Sequence, residues 1–257
     1  MTSAEFIPCD QLKPFVSRIT VVEALDEATY KVLPGTGLVM GFQFRGGVSN
    51  ITLTGVTKLT SSGITGIHNS ARIYNSAANT GSVLVYFNDG GASTFFREPL
   101  NEIFDQSTSL DNFMLRSELL VFEERLCEAR SDRNKVDLVE DFLISGMRSV
   151  EPDKLVMMAI ALIHKKNGNI RISELLEDLH ISQAPLEKRF RKVVGTSPKK
   201  FASIVRMRTA INNFNPDASL TELGYSAGFY DQAHFIKEFK NFTGDTPKRF
   251  FTISPNE

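Results

Sequence analysis

Two short segments of this chain each place a small residue and two cations on one predicted helical face, at about 100° per residue. The first set is Ala184, Lys188 and Arg191, and the second is Ala233, Lys237 and Lys240. A small residue permits close approach to a base edge, and Lys or Arg reaches phosphate or guanine. These residue types therefore predict contact with a polyanion, and double-stranded DNA is the polyanion that a helix can enter.

Other residues that could do chemistry do not assemble into a site in the sequence. Cys9 and Cys127 are distant from each other, which indicates reduced thiols instead of a disulfide framework or a zinc site. His68 lacks neighbouring residues of the kind that bind metals. No phosphate-binding glycine loop follows a predicted strand. The sequence therefore predicts no catalytic residue, no metal and no cofactor.

The cationic faces belong to an internal repeat. The segments that begin at Ser182 and Asp231 lie 49 residues apart (182 to 231), and eight of their twenty positions are identical. The first segment has an apolar stripe of Leu186, Phe190 and Val193 opposite its cations, and the second has Phe235, Phe239 and Phe242. Each stripe predicts a helix with one buried face, over about 183–194 and 232–242.

Start and stop signals divide each copy of the repeat into helices. We predict helix N-caps at Ser182, Asp231, Ser197 and Thr246. Gly195 and Gly244 end the repeated helix, and proline follows the cap of the next one. Shorter helices precede each copy, over 173–179 and 220–226, and the second begins with a capping box, Ser219 to Glu222. Two helices joined by a tight turn form a helix-turn-helix unit, so the chain has two.

A repeated helical hairpin without any nucleic-acid role is the alternative interpretation of these segments. Charge favours DNA: residues 1–149 carry 13 basic and 18 acidic side chains, a net of −5, and residues 150–257 carry 16 and 12, a net of +4. Such an asymmetry hints at a polyanion partner for the C-terminal half.

The N-terminal half has a different pattern. Residues 15–97 contain short segments rich in β-branched and aromatic residues between glycine-rich turns, which favours a barrel or a sandwich. These segments include Val32–Leu33, Leu38–Phe44, Ile51–Val56, Ile64–Ile67 and Ser82–Phe87. Helical spacing of Leu115, Leu119, Phe122 and Leu126 then predicts a helix over about 112–129, and a second follows over 135–147.

These patterns predict an α+β chain of two domains. A β-rich domain with a helical tail (about 112–147) covers residues 1–149, and an all-α domain of two helix-turn-helix units covers residues 150–257. With no signal peptide and no long apolar run, the protein is expected to be soluble and cytoplasmic, away from membranes.

Residues 153–251 resemble the AraC/XylS family of bacterial regulators. The resemblance rests on the pattern from Ser182 to Phe201 and on that from Gly228 to Pro247. It implies that bases are read by Gln183, Ala184, Glu187, Lys188, Gln232, Ala233, Ile236 and Lys237, and that Arg191 and Lys240 contact phosphate. Glu187 either accepts a hydrogen bond from a cytosine amino group or repels phosphates. Ile236 either contacts a thymine methyl group or packs on its own domain. The sequence does not decide between the two roles of either residue.

Two residues depart from the family pattern. Pro185 lies in the first turn of its helix, where we expect it to stiffen the start without removing an intrahelical bond. Gly224 stands where relatives usually have alanine, at a cost of about 1 kcal/mol in helix propensity. We expect this glycine to loosen the second unit.

The sequence thus predicts a sequence-specific DNA-binding transcriptional regulator without enzymatic activity. Family analogy implies that the N-terminal domain, which resembles that of some members more weakly, senses a small-molecule or protein effector or forms a homodimer through residues 112–147. It also implies contact with RNA polymerase. The alternative is a DNA-associated protein whose β domain has an enzymatic or small-molecule-binding activity. DNA-repair methyltransferases that carry this helical domain need a zinc-bound cysteine cluster, which Cys9 and Cys127 cannot supply.

Overall fold

The computed structural model describes residues 1–216 and 219–253. Ten strands form the N-terminal part: β1 Thr2–Phe6, β2 Val16–Ala24, β3 Ala28–Val32, β4 Val39–Arg45, β5 Val48–Thr52, β6 Gly55–Lys58, β7 Ser62–Thr65, β8 Arg72–Ser76, β9 Thr80–Phe87 and β10 Ser107–Ser109. All pairings are antiparallel, in one sheet of order β1-β2-β9-β4-β7-β10 and another of order β3-β8-β5-β6. The predicted β-rich domain is confirmed.

Several strands differ from the prediction. The segment Ile51–Val56 is a hairpin instead of one strand, because β5 and β6 pair across a turn at Leu53 and Thr54. The strands β2 and β8 lie in the predicted β-rich range but outside the named segments, and β3 overlaps them only at Val32. The strands β1 and β10 lie outside that range. The strands β1 and β10 are short and mostly polar, and they are stabilised by pairing with other strands. The sequence of β2 is rich in β-branched residues, so its own composition favours the strand that the prediction omits.

Alternate residues of the larger sheet face two different layers, as the pleat requires. In β9, Val83 and Val85 are fully buried in the hydrophobic core, whereas Ser82 and Leu84 line a cavity toward the smaller sheet. The helices α1 Arg116–Glu128 and α2 Asp132–Gly146 cover the core face. The Phe42 ring of β4 packs there, with its centroid 4.9 Å from that of Phe122 and 5.5 Å from that of Phe142 in these helices.

The two connecting helices lie close to the predicted positions, with one correction. Leu119, Phe122 and Leu126 are buried, as the stripe requires, but Leu115 is 66% exposed. Leu115 occupies the N-cap position of α1 and has extended backbone angles, so it lies outside the helix whose periodicity it seemed to share.

The described residues of the C-terminal part form seven helices: α3 Lys154–Lys165, α4 Ile172–Leu179, α5 Gln183–Val194, α6 Pro198–Asn212, α7 Leu220–Ser226, α8 Gln232–Thr243 and α9 Pro247–Ile253. For α4, α5, α7 and α8, these bounds match the predicted ranges within one residue. Left-handed backbone at Gly195 (φ 91°) and Gly244 (φ 81°) ends α5 and α8, as predicted. In the described ranges, no helix combines the length and the apolar character that crossing a bilayer requires.

The glycine in α7 has a structural reason. A Cβ atom added at Gly224 would lie 3.3 Å from the Cβ atom of Phe235, a fully buried residue of α8. The absence of a side chain lets α7 pack closely against α8. The expectation that this glycine only loosens the second unit therefore omits a packing contribution.

Candidate nucleic-acid interface

The helix α5 presents the first predicted set of DNA contacts to solvent. Gln183, Ala184, Lys188 and Arg191 are exposed and form what we call the first recognition face. On the opposite side, the fully buried residues are Leu186, Phe190 and Val194. The predicted Val193 is only half-buried, against Gly90 of the N-terminal part, because the buried stripe is shifted by one residue at the last turn.

The predicted side-chain cap of α5 is wrong. Ser182 occupies the N-cap position, but its side chain makes no capping hydrogen bond. At Ser131, Asp153, Ser197, Ser219 and Asp231 the capping side chain accepts from the amide three residues later. At Ser182 that third position is Pro185, which has no amide hydrogen. Pro185 thus removes no intrahelical bond but does remove the donor that a cap needs.

An acidic residue orders the first recognition face. Glu187 Oε1 accepts a hydrogen bond from Gln183 Nε2 at 3.1 Å, and its other oxygen lies 3.8 Å from Arg191 Nη2. These contacts connect three residues along successive turns of α5. The sequence left two roles open for Glu187, and the structure adds a third, which is to position its two neighbours.

The helix α8 presents the second predicted set in the same way. Gln232, Ala233, Lys237 and Lys240 are exposed and form the second recognition face. Asp231 accepts from the His234 amide at 2.7 Å, so this helix has the side-chain cap that α5 lacks. The predicted stripe is buried: Phe235, Phe239 and Phe242 are at most 5% exposed.

Two further side chains shape the second recognition face. Thr221 Oγ1 of α7 donates to Gln232 Oε1 at 3.1 Å, which leaves the Gln232 amide nitrogen free to donate outward. Ile236 is half-buried and packs against the hydrophobic core, so packing accounts for at least part of its role. Sequence analysis missed Thr221, because its contact depends on how the turn between the two helices folds back.

Other helix starts in this domain are held by local bonds. Ser197 accepts from the Lys200 amide at 3.2 Å, and the capping box of Ser219 and Glu222 has both of its reciprocal bonds, at 3.1 and 2.7 Å. Thr246 precedes α9, and its carbonyl accepts from the Phe250 amide at 2.9 Å.

A bidentate ion pair fixes α5 against α3. Arg189 Nε and Nη2 donate to the two carboxylate oxygens of Asp153 at 2.8 and 3.0 Å. Asp153 also caps α3 through the Val156 amide. Burial alone would raise the pKa of Asp153, but the bonds from Arg189 and the amides hold it below its ordinary value. Sequence analysis did not predict this pair, whose members lie 36 residues apart.

Comparison with known proteins agrees with this geometry. Residues 175–252 match a family model described as a helix-turn-helix domain. The Msm operon regulatory protein of Streptococcus mutans is 32% identical over 117 residues, which cover 44% of this chain and 42% of that protein. The regulator MtrA of Neisseria gonorrhoeae is 31% identical over 121 residues, or 46% and 37% of the two chains. The chain thus matches less than half the length of these relatives.

The C-terminal domain is a helix-turn-helix domain of the AraC type. A solved structure of ToxT from Vibrio cholerae covers all of both chains with a TM-score of 0.50 and 12% identity, which is a likeness of fold. Residues 4–109 match a model described as a domain of unknown function, DUF6597.

The second unit of the AraC-type domain is bound to the β-rich domain. Lys31 of β3 forms an ion pair with Asp245, just after α8, and this contact lowers the pKa of Asp245. The Ala71 amide donates to the Phe242 carbonyl, within α8, at 2.9 Å. Because these contacts involve the end of α8, they leave the second recognition face open to solvent.

The first unit and the helix between the units are also bound to the β-rich domain. The helix α5 packs against two short 3-10 helices, Gly91–Thr94 and Leu100–Ile103. In α6, Lys200 Nζ donates to the Asn69 carbonyl at 3.3 Å, and Arg208 Nη1 donates to the Pro34 carbonyl at 2.7 Å. The AraC-type domain therefore has contacts to the β-rich domain from both of its units.

The histidines of the AraC-type domain contribute to a turn, to packing and to a contact with the β-rich domain. His180 ends α4 with left-handed backbone (φ 51°), and its ring nitrogen lies 2.6 Å from the Glu177 carbonyl. His234 packs its ring against Phe229. His164 Nε2 lies 2.6 Å from Asp89 Oδ2 of the β-rich domain, and this hydrogen bond raises the pKa of His164. Among the described residues, no group of three or more His, Cys, Asp or Glu could hold a metal ion.

A cavity of about 240 Å³ lies between the two sheets of the β-rich domain. Residues of β2, β4 and β9 line it from the larger sheet, and residues of β3 and β8 line it from the smaller one. Tyr30 and Val32, on either side of Lys31, are in its wall, and so is His68, next to Asn69. The cavity wall and the contacts to the AraC-type domain therefore share the same short segments.

Proposed function

We propose that this protein is a sequence-specific DNA-binding transcriptional regulator. One observation carries the proposal: α5 and α8 both expose a small residue followed by two cations, on the side opposite a buried apolar stripe. Ala184 and Ala233 allow the helix to approach base edges, and the cations behind them reach guanine or phosphate. The two helices enter successive major-groove segments, about one helical turn apart.

Within this proposal, base contacts come from the first helical turns and phosphate contacts from later ones. Gln183, Glu187 and Lys188 read one segment, and Gln232 and Lys237 read the other. Arg191 and Lys240 contact phosphate. Because Thr221 engages the Gln232 carbonyl oxygen, we expect Gln232 to donate to base acceptors such as guanine O6 or N7.

We further propose that the β-rich domain senses an effector and acts on the DNA-binding domain through their shared contacts. Support comes from the segments around Lys31 and Asn69, which line the cavity on one side and bind the helical domain on the other. Since the recognition faces stay exposed, an effector would act by changing the placement of the two helices and not by uncovering them.

Three narrower parts of the proposal follow family analogy. The protein acts without catalysing a reaction, it contacts RNA polymerase, and it forms a homodimer through residues 112–147. The exposed apolar residues Leu120 and Val121 of α1 support the dimer surface. Light scattering of the full chain, with Leu120→Glu as the variant, tests the dimer: the wild type should have twice the mass of the variant.

Selection of bound duplexes from a random pool tests the main proposal. The wild type should enrich a motif with two boxes about one turn apart, and Lys188→Ala/Lys237→Ala should enrich neither. The control is Lys165→Ala/Lys166→Ala, which removes two exposed cations at the end of α3 and should enrich the same motif as the wild type. If the recognition-face variant also enriches that motif, these helices are not the DNA readers.

A further inference from the structure

The two recognition helices start from the same residues and differ at one position that can accept a hydrogen bond. The repeat pairs identical residues, which are Gln183 with Gln232, Ala184 with Ala233 and Lys188 with Lys237. One turn after the glutamine, the first helix has Glu187, and the second helix has Ile236 in its place. The carboxylate of Glu187 therefore has no counterpart in the second copy.

Glu187 turns the first glutamine toward its own helix. Gln183 Nε2 donates to Glu187 Oε1 at 3.1 Å, and a carboxylate can only accept, so the glutamine presents its nitrogen to this contact. Among the described residues, none donates to Gln183 Oε1, which stays available to accept. The other Glu187 oxygen lies 3.8 Å from Arg191 Nη2, and the carboxylate keeps further lone pairs. The start of the first recognition face thus presents two acceptors side by side.

Thr221 turns the second glutamine the other way. Thr221 Oγ1 of α7 donates to Gln232 Oε1 at 3.1 Å, so the amide nitrogen is the atom left to point outward. Ile236 has no polar group that could draw this nitrogen back along α8. Glu238, the one acidic residue in the sequence of α8, is half-buried and counteracts the lowering of the Arg206 pKa by burial, so it lies toward α6. The start of the second recognition face therefore presents donors.

We propose that the two recognition faces have opposite hydrogen-bond polarity, and that Glu187 determines the difference. The first face accepts from the exocyclic amino group of adenine or cytosine, through Gln183 Oε1 and Glu187. The second face donates through Gln232 to acceptors such as guanine O6 and N7 or thymine O4. Lys188 and Lys237 donate in both units, so guanine contacts are expected in both boxes. This inference rests on the proposed function, because it requires that α5 and α8 read bases.

Duplexes that lack single amino groups test this polarity. In the selected motif, each adenine is replaced in turn by purine and each cytosine by 2-pyrimidinone, which deletes the exocyclic amino group. Lys188→Ala and Lys237→Ala assign each box to its helix, and fluorescence anisotropy measures binding of the full-length wild type. At least one deletion in the α5 box should weaken binding about tenfold, whereas no deletion in the α8 box should weaken it more than about twofold.

Variants of the two faces assign the effect to named side chains. Glu187→Ala should reduce the tenfold loss in the α5 box to about threefold, and Gln183→Ala/Glu187→Ala should reduce it to less than about twofold, because both acceptors are then gone. Thr221→Val should reduce the preference of the α8 box for guanine over adenine, because a released Gln232 can pair with either purine. The matched control is Glu177→Ala, which removes an exposed carboxylate from α4 and should keep the wild-type pattern.

The selection step separates failure of this inference from failure of the proposed function. If the wild type selects no motif, the proposed function is wrong, and this inference is wrong with it. Two results would overturn the inference alone while a two-box motif is still selected. The first is that amino groups matter equally in both boxes, and the second is that Glu187→Ala leaves the tenfold loss unchanged.

Discussion

Removal of the Ser182 hydroxyl should have almost no effect on stability, although Ser182 is at the N-cap of a recognition helix. A side-chain cap contributes about 1 kcal/mol because it satisfies a free amide of the first turn. Ser182 makes no such bond, since Pro185 occupies the position of the donor. We therefore expect Ser182→Ala to change the free energy of unfolding by less than about 0.5 kcal/mol, as at an ordinary surface site. Asp231→Ala, at the matching position of α8, should cost about 1 kcal/mol.

A double-mutant cycle isolates the role of the proline. Pro185→Ala restores an amide that Ser182 can cap, a gain of about 1 kcal/mol. It also gives the unfolded chain more freedom, a loss of about 0.4–1 kcal/mol, so the single change is nearly neutral. In the Pro185→Ala background, Ser182→Ala should then cost about 1 kcal/mol, which makes the coupling free energy about 1 kcal/mol.

Urea unfolding followed by far-UV circular dichroism measures all four proteins of the cycle. A change in midpoint at constant slope reports the change in stability. The reasoning is refuted if Ser182→Ala costs about 1 kcal/mol in the wild-type background, or if its cost is the same in both backgrounds.

Three further predictions concern buried and interdomain groups. Because the pKa of His68 is about 4 in the folded state and about 6.5 when unfolded, the free energy of unfolding should fall by about 3 kcal/mol between pH 6.5 and 4. Urea titrations at the two pH values should show a correspondingly smaller loss of stability for His68→Phe than for the wild type. Equal losses would contradict this pKa. His164 has a raised pKa beside Asp89, so its contribution to stability is complete below pH 6.5 and disappears as pH rises through the folded-state pKa. Asp89→Asn should therefore destabilise the protein more at pH 6 than at pH 9. A loss of stability that does not depend on pH would exclude the charged pair. Lys31 and Asp245 should couple by at most about 1 kcal/mol in a double-mutant cycle at low salt, since their pair is partly exposed; coupling that persists unchanged in molar salt would argue against an ionic contact.

Local signals in the sequence were sufficient for the helical domain. The stripe of Phe235, Phe239 and Phe242 gives a helix whose buried face follows directly from its period. The glycines at 195 and 244 and the capping box at Ser219 set helix ends by bonds within one turn. Such features depend on neighbouring residues, so the bounds of α4, α5, α7 and α8 were predicted within one residue.

The features that the sequence did not predict depend on contacts between distant residues. The strand β8 forms between β3 and β5, and only Ile73 and Tyr74 of its five residues favour a strand by themselves. Lys31 and Asp245 meet across 214 residues. The cavity results from the order of strands in two sheets, which places Ser82 opposite the smaller sheet. The missing cap at Ser182 was different, because the proline responsible for it is visible in the sequence three residues later.

The most direct test of the proposed function assigns each recognition helix to one half of the selected DNA motif. Fluorescence anisotropy would measure binding of the wild type, Lys188→Ala and Lys237→Ala to duplexes with either box altered. Each variant should become insensitive to changes in one box, a different box for each, and remain sensitive to changes in the other. If both variants weaken binding equally on every duplex, the two lysines contribute only general electrostatic attraction, and the claim that these helices read sequence is wrong.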